Sequence, residues 1–176
     1  MMIEHLLKTA VRDIVDFPKP GIIFKDITPI LKDPSLCDAI LDAFMIRLQD
    51  LSIDVVAGIE SRGFLFGLML ANKLGVPFVP IRKQGKLPAQ TIQQSYALEY
   101  GYATMEIHAD AFEPGSRVLI HDDLLATGGT VAAASELVKK LKGTIAGYCF
   151  IISLDFLNGK EQLLPYSEQL ISLIGY

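Results

Sequence analysis

The sequence predicts an α/β fold with a central, largely parallel sheet flanked by helices. Two observations carry that prediction. Short apolar runs, Val55-Val56-Ala57-Gly58-Ile59, Phe78-Val79-Pro80-Ile81, Val118-Leu119-Ile120 and Ile145 to Leu154, alternate with stretches of helical periodicity, which is the rhythm of strand–helix–strand units. One of these runs leads through two adjacent carboxylates, Asp122 and Asp123, into a glycine-containing turn and a helix. Parallel sheets bind their ligands beyond the carboxyl ends of strands, where such a turn lies.

The elements follow in order. The first dozen residues read as a short helix, because Ile3, Leu6, Leu7 and Ala10 fall on one stripe. Phe17-Pro18-Lys19-Pro20-Gly21 breaks it. Asp33-Pro34 is a helix start with Pro34 at the first position, where a missing N–H costs nothing. Leu36, Ile40, Phe44 and Leu48 then recur at helical spacing. The run from Val55 to Ile59 is too short for most helices and wholly apolar, so it reads as a buried strand. Phe64 to Leu74 is helical and stops at Gly75. Phe78 to Ile81 is a second strand, in which Pro80 points to an edge or a bulge. Val118 to Ile120 is a third strand, Val131 to Leu141 a helix ending near Gly143, and Ile145 to Leu154 a fourth strand region. Gln84 to about Glu106 breaks the rhythm. It is polar and interrupted by Gly85, Pro88 and Gly101, and it reads as an unstructured lid, with a surface hairpin as the alternative.

Composition narrows the function. A chain of 176 residues suits a single domain and is long enough to bury a core without staples. With 51% hydrophobic and 20% charged residues the composition is globular. A net charge of -4 argues against nucleic acid as a partner, since nonspecific binding needs a basic surface. A local basic cluster is still free to bind a small polyanion. Cys37 and Cys149 form no CxxC and have no histidine at zinc-finger spacing, which favours a reduced, cytoplasmic protein. Met1-Met2-Ile3-Glu4-His5 lacks the basic stretch and long apolar run of a secretion signal. No segment offers about 20 consecutive apolar residues, so no membrane span is expected.

The chemistry concentrates in Arg117-Val118-Leu119-Ile120-His121-Asp122-Asp123-Leu124-Leu125-Ala126-Thr127-Gly128-Gly129-Thr130. The turn presents backbone N–H groups to an anion, and the helix dipole assists. Thr127 and Thr130 add hydroxyl donors. Carboxylates beside a phosphate repel it, so they face another part of the ligand. They suit the two adjacent hydroxyls of a ribose, or Mg²⁺ bound directly or through its waters. A P-loop would need a Lys before the Ser or Thr, which Gly128-Gly129-Thr130 lacks, and GxGxxG is absent from the sequence.

These residues resemble the phosphoribosyl pyrophosphate (PRPP) signature of the type I phosphoribosyltransferases. Further segments are similar to the adenine-specific branch of that family: Phe17 to Pro29, Glu60-Ser61-Arg62-Gly63-Phe64, Arg82-Lys83-Gln84-Gly85-Lys86-Leu87-Pro88 and Tyr96-Ala97-Leu98-Glu99-Tyr100-Gly101. The resemblance runs from about Phe17 to Ser153. It implies the type I phosphoribosyltransferase fold over residues 1–176, with a small N-terminal hood at about 1–33 and a flexible lid loop at about 84–106. The implied reaction transfers the phosphoribosyl group of PRPP to adenine, giving AMP and pyrophosphate, with Mg²⁺ held mainly by PRPP and reached through water by Asp122 or Asp123.

Residue by residue, the resemblance implies that Asp122 and Asp123 bind the ribose hydroxyls. Ala126, Thr127, Gly128, Gly129 and Thr130 would cradle the 5′-phosphate, and Ser61 and Arg62 would meet the pyrophosphate on a turn that often carries a cis peptide. Arg82, Lys83 and Lys86 would stabilise the departing charge. In relatives the arginine of this segment reaches the neighbouring subunit's site, which implies a homodimer. Phe24 would stack on the base, while Ile23 and Lys25 offer main-chain groups to its amino edge. Glu99, beside Tyr100, would handle the proton of purine nitrogen-9, so Glu99, Arg82 and Lys83 are the expected catalytic residues. His121 departs from the aliphatic residue usual in the family. Two competing readings are salvage of an oxopurine and a PRPP-sensing regulator. The hood and the Leu98 to Gly101 segment favour adenine. A regulator would carry a DNA-binding domain or a basic face, and a bare structural α/β protein leaves the matching segments unexplained.

Overall fold

The computed structural model describes residues 2–98 and 101–176. Helix α1 (Met2–Ala10) leads into a two-stranded antiparallel ribbon, β1 (Arg12–Val15) and β2 (Ile23–Asp26), and a 3-10 turn at Ile30–Lys32. Then come α2 (Pro34–Leu48), β3 (Val55–Ile59), α3 (Gly63–Leu74) and β4 (Phe78–Lys83). After them run β5 (Thr91–Ala97), β6 (Tyr102–His108), β7 (Arg117–Leu125), α4 (Gly129–Lys140) and β8 (Thr144–Ser153). A second 3-10 turn (Asp155–Leu157), α5 (Gly159–Leu163) and β9 (Leu170–Gly175) complete the chain.

Seven strands form one sheet in the order β5-β6-β4-β3-β7-β8-β9. The pairs β4/β3, β3/β7, β7/β8 and β8/β9 are parallel, while β6 runs antiparallel to both β4 and β5. Helices cover both faces, so the central strands are apolar on both sides. Alternation divides most of them, although the adjacent Ile151 and Ile152 share one core. Val56, Leu119, Cys149 and Ile151 join the core built with α1, α2 and α3, including Leu7, Ile40, Phe44, Phe66 and Leu70. Val55, Ala57, Val118, Ile120, Tyr148 and Phe150 join the opposite core, with Val131, Ala134, Leu137 and Val138 of α4.

Local chemistry sets the boundaries. Asp33 caps α2 by accepting the Leu36 N–H at 3.1 Å, with Pro34 in the first turn. Gly75 ends α3 in the left-handed region at φ 71°. Pro80 lies in an interior strand, yet its position is a local edge. The Val56 N–H to Pro77 carbonyl and Glu60 N–H to Ile81 carbonyl bonds set the alternation by which the Pro80 nitrogen points away from β3. On that side β6 pairs with β4 only at Arg82 and Lys83.

The structure departs from expectation in three places. Within the segment from Gln84 to Glu106 the described residues are not an unstructured loop but for the larger part the paired strands β5 and β6, the hairpin that was the alternative reading, and its base joins the sheet edge. It reads as polar because β5 faces solvent along much of its length. Strand β7 does not stop at Ile120 but continues through the acidic pair to Leu125. The β1–β2 ribbon and the short α5 carry too little apolar periodicity to be anticipated, and β9 adds a further apolar run, Leu170-Ile171-Ser172-Leu173-Ile174, that was not among the expected strands. Among the described residues no helix is long and apolar enough to cross a membrane.

Candidate active site

The acidic pair occupies a notch in the sheet. Strand β3 pairs with β7 only as far as Gly58 opposite His121, whereas β8 follows β7 to Leu125 opposite Ser153. Asp122 and Asp123 therefore lie where β7 has lost one neighbour. The start of α3 closes in on them. A Cβ on Gly63 would sit 2.8 Å from the His121 carbonyl oxygen and 3.0 Å from Asp122 Oδ1, so only glycine permits this approach. The result is a cavity of about 330 Å³ lined by Phe24, Glu60, Ser61, Arg62, Lys83, Asp122, Asp123 and Leu124.

The two carboxylates differ in their partners. Asp122 Oδ1 accepts the Asp123 N–H at 2.9 Å. Burial pushes its carboxyl well above the usual carboxylate range, and the charge of Asp123 pushes the same way. Burial also raises Asp123, against the pull of the Arg62 cation. Arg62 Nε lies 3.1 Å from Asp123 Oδ2, an ion-pair distance, yet that buried oxygen has no hydrogen-bond partner among the described residues. A buried acceptor without a donor is costly, and a ligand hydroxyl or a hydrated cation fits it.

Arg62 also ties the hood to the sheet. Its Nη1 donates to the Lys25 carbonyl at 3.3 Å, and its guanidinium lies 4.8 Å from the centre of the Phe24 ring. The edge of Phe17 braces the same ring at 5.2 Å. The bond to Lys25 places that residue's main-chain groups on the open edge of β2, away from β1, and strand alternation places those of Ile23 beside them. Ile23 and Lys25 also line a separate, mainly apolar cavity of about 530 Å³ with Thr127, Leu154 and Tyr176. The Lys25 ammonium is nearly buried, 2.7 Å from Asp13 and 3.8 Å above the Tyr176 ring.

Opposite the hood, the turn from Glu60 to Arg62 meets the end of β4. The Glu60–Ser61 peptide is cis. Glu60 Oε2 accepts Arg82 Nε at 3.0 Å and the Lys83 N–H at 3.1 Å. Burial works against its ionised form, but these donors hold the carboxyl below its ordinary value. Arg82 Nη1 also donates to the Lys86 carbonyl at 2.9 Å. Of the basic cluster, Lys83 lines the central cavity, while Arg82 in β4 and Lys86 on the turn that follows are bonded to each other outside its lining.

Beyond Leu124, a small cavity of about 80 Å³ is lined by Asp122, Leu124 and Ala126 to Val131. Gly128 caps α4 at φ 86°, and the first-turn amides of this 12-residue helix have the orientation that attracts anions. The loop is tightly backed: a Cβ on Gly159 would fall 2.1 Å from the Ala126 carbonyl oxygen. Thr130 Oγ1 donates to the Tyr96 hydroxyl on β5 at 3.0 Å.

Residues 27–167 match the family described as phosphoribosyl transferase domain. An adenine phosphoribosyltransferase of Cytophaga hutchinsonii is 57% identical over 175 residues, spanning 99% of this chain and 97% of the relative. The chain belongs to the adenine phosphoribosyltransferase family. The crystal structure of the Thermoanaerobacter pseudethanolicus adenine phosphoribosyltransferase superposes with a TM-score of 0.94 at 48% identity, over 98% of this chain and 99% of that one. The Saccharomyces cerevisiae adenine phosphoribosyltransferase, 43% identical with a TM-score of 0.92 over 98% of both chains, was solved with an imino-altritol bisphosphate and adenine.

Against the family's pattern, the fold brings Phe24, Ser61, Arg62, Lys83, Asp122 and Asp123 to one cavity and Ala126 to Thr130 to its neighbour. Glu99 and Tyr100 lie outside the described residues. Leu124, Glu60 and Tyr96 fall in the matching segments without a role of their own there, and Gly159 falls outside them. Leu124 faces the same cavity as Phe24, but an apolar residue in a strand reads as core. Glu60, Tyr96 and Gly159 act through contacts distant in sequence, and only the Asn158-Gly159 turn signal marks the last.

Proposed function

We propose that this chain transfers the 5-phosphoribosyl group of PRPP to adenine, releasing AMP and pyrophosphate, as a step of purine salvage. The observation that carries the reading is the acidic pair, set between a phosphate-sized cavity on one side and an arginine-bearing turn on the other. PRPP has this order of groups: 5′-phosphate, vicinal hydroxyls, pyrophosphate. Adenine phosphoribosyltransferase relatives across the full chain length support the choice of base.

In this reading the loop from Ala126 to Thr130 holds the 5′-phosphate, and Asp122 and Asp123 accept the ribose hydroxyls. Ser61, Arg62 and Lys83 receive the pyrophosphate. Adenine lies between Phe24 and Leu124 and meets the open edge of β2 at Ile23 and Lys25. Arg62 now covers the Phe24 ring and the Lys25 carbonyl, so it moves aside when the base takes those contacts. Glu99 accepts or relays the nitrogen-9 proton. Displacement passes through a transition state of oxocarbenium character, with the residues acting by alignment and charge stabilisation. Asp123 Oδ2, buried and without a hydrogen-bond partner among the described residues, fits a water of Mg²⁺ held mainly by PRPP; Asp122 or Asp123 would contact that ion through its waters, and it would neutralise pyrophosphate charge. The β5–β6 ribbon serves as the lid that excludes water. The working form is a cytoplasmic homodimer in which Arg82 adds charge to the neighbouring site.

The test is pyrophosphate release from PRPP and Mg²⁺ with adenine, hypoxanthine, guanine or xanthine offered separately. Release with adenine alone is expected. Release with an oxopurine alone contradicts the assignment of the base site, and PRPP binding without release for any base favours a sensor.

A further inference from the structure

Glu106 is a buried carboxylate to which the transfer assigns no role. It sits on β6 directly opposite Arg82 of β4 and is 2% exposed. The partners shown for it are neutral. Oε1 accepts the Lys86 N–H at 2.9 Å and the Leu87 N–H at 2.8 Å. Oε2 has longer contacts to Thr91 Oγ1 and Gln93 Nε2, both at 3.4 Å. Burial opposes its charge, but the amides of Leu87, Gly85 and Lys86 hold the carboxyl below its usual value.

These bonds belong to a continuous chain. The Lys86 N–H is fixed by Glu106 and its carbonyl by Arg82; Arg82 is fixed by Glu60, which also takes the Lys83 N–H. The chain runs from the strand of the lid ribbon to the turn that carries Ser61 and Arg62. The turn bearing Lys83 and Lys86 is otherwise closed by the Lys86 N–H to the Lys83 carbonyl at 3.3 Å and the Gln84 N–H to the Thr104 carbonyl at 3.0 Å, which leaves freedom at Gly85, with a positive φ of 80°, and in its exposed flanks. Charge-assisted bonds from two successive amides remove that freedom.

We infer that Glu106 is a positioning residue for the pyrophosphate subsite, holding the Lys83–Lys86 turn in register with the Glu60–Arg62 turn. The inference rests on the proposed transfer reaction for its ligand, and its test separates the two. Full-length wild type, Glu106→Gln and Glu106→Asp are compared by steady-state kinetics and by calorimetric titration with pyrophosphate and Mg²⁺, with folding followed by circular dichroism. Glu106→Gln keeps the shape and one acceptor oxygen but removes the charge. Its KM for PRPP and Kd for pyrophosphate rise about tenfold while KM for adenine stays within about twofold, and Glu106→Asp recovers part of the loss. If Glu106→Gln does not fold, Glu106→Asp shows the same split at about threefold. Unchanged pyrophosphate affinity in a folded variant overturns the inference, as does an equal loss of adenine and pyrophosphate affinity. A wild type that binds pyrophosphate but makes no AMP counts against the reaction and leaves the titration as the judge of Glu106.

Discussion

The acidic pair shows a function-bearing arrangement that opposes stability. Two neighbouring carboxylates, one of them nearly inaccessible, repel each other, and Arg62 and the backbone N–H of Asp123 offset this in part. Their sequence, Asp122-Asp123 before a glycine turn, was legible because few structural roles call for it. His121 next to them was not interpretable from sequence. It is fully buried, with Nδ1 2.9 Å from the Cys149 carbonyl and Nε2 unpartnered among the described residues. Desolvation lowers its pKa from 6.5 to about 4. Because the folded value is depressed, the unfolded chain takes the proton first. Stability is therefore full above about pH 6.5 and is lost as pH falls toward 4, by up to roughly 3 kcal/mol. Urea unfolding at pH 7 and pH 5 is expected to show this slope in wild type and a flatter one in His121→Leu. Equal slopes would mean that other groups govern the acid limb.

At the scale of elements, the apolar strands β3, β4, β7 and β8 and the longer helices were legible, and the polar ribbons were not. Strand β3 was bounded correctly because buried parallel strands are apolar throughout, and α2 was bounded by its Asp33-Pro34 start. The β5–β6 ribbon matches only the alternative reading, a surface hairpin, because its pairing and not its composition makes it a strand pair. Likewise α5 has only 5 residues and little pattern, yet it backs the phosphate loop. Gly159→Ala places a methyl group against the Ala126 carbonyl, so the loop must shift. KM for PRPP is expected to rise about tenfold or more with KM for adenine little changed. Wild-type kinetics in that variant would show that the loop tolerates displacement.

On the scale of the whole molecule, the sheet order does the assembling. Placing β3 beside β7 brings the Glu60–Arg62 turn against Asp122 and Asp123, and the β1–β2 ribbon lays Phe24 over Arg62. None of these contacts is local in sequence, so sequence named most of the cavity's residues but not how they meet. The central claim is that this assembly forms AMP through the acidic pair. The most direct measurement follows labelled adenine into AMP with PRPP and Mg²⁺, for wild type and for Asp122→Asn/Asp123→Asn. Conversion by wild type is expected, with a loss of about a hundredfold or more in kcat/KM for a double variant that remains folded. A folded double variant with wild-type kcat/KM would contradict it.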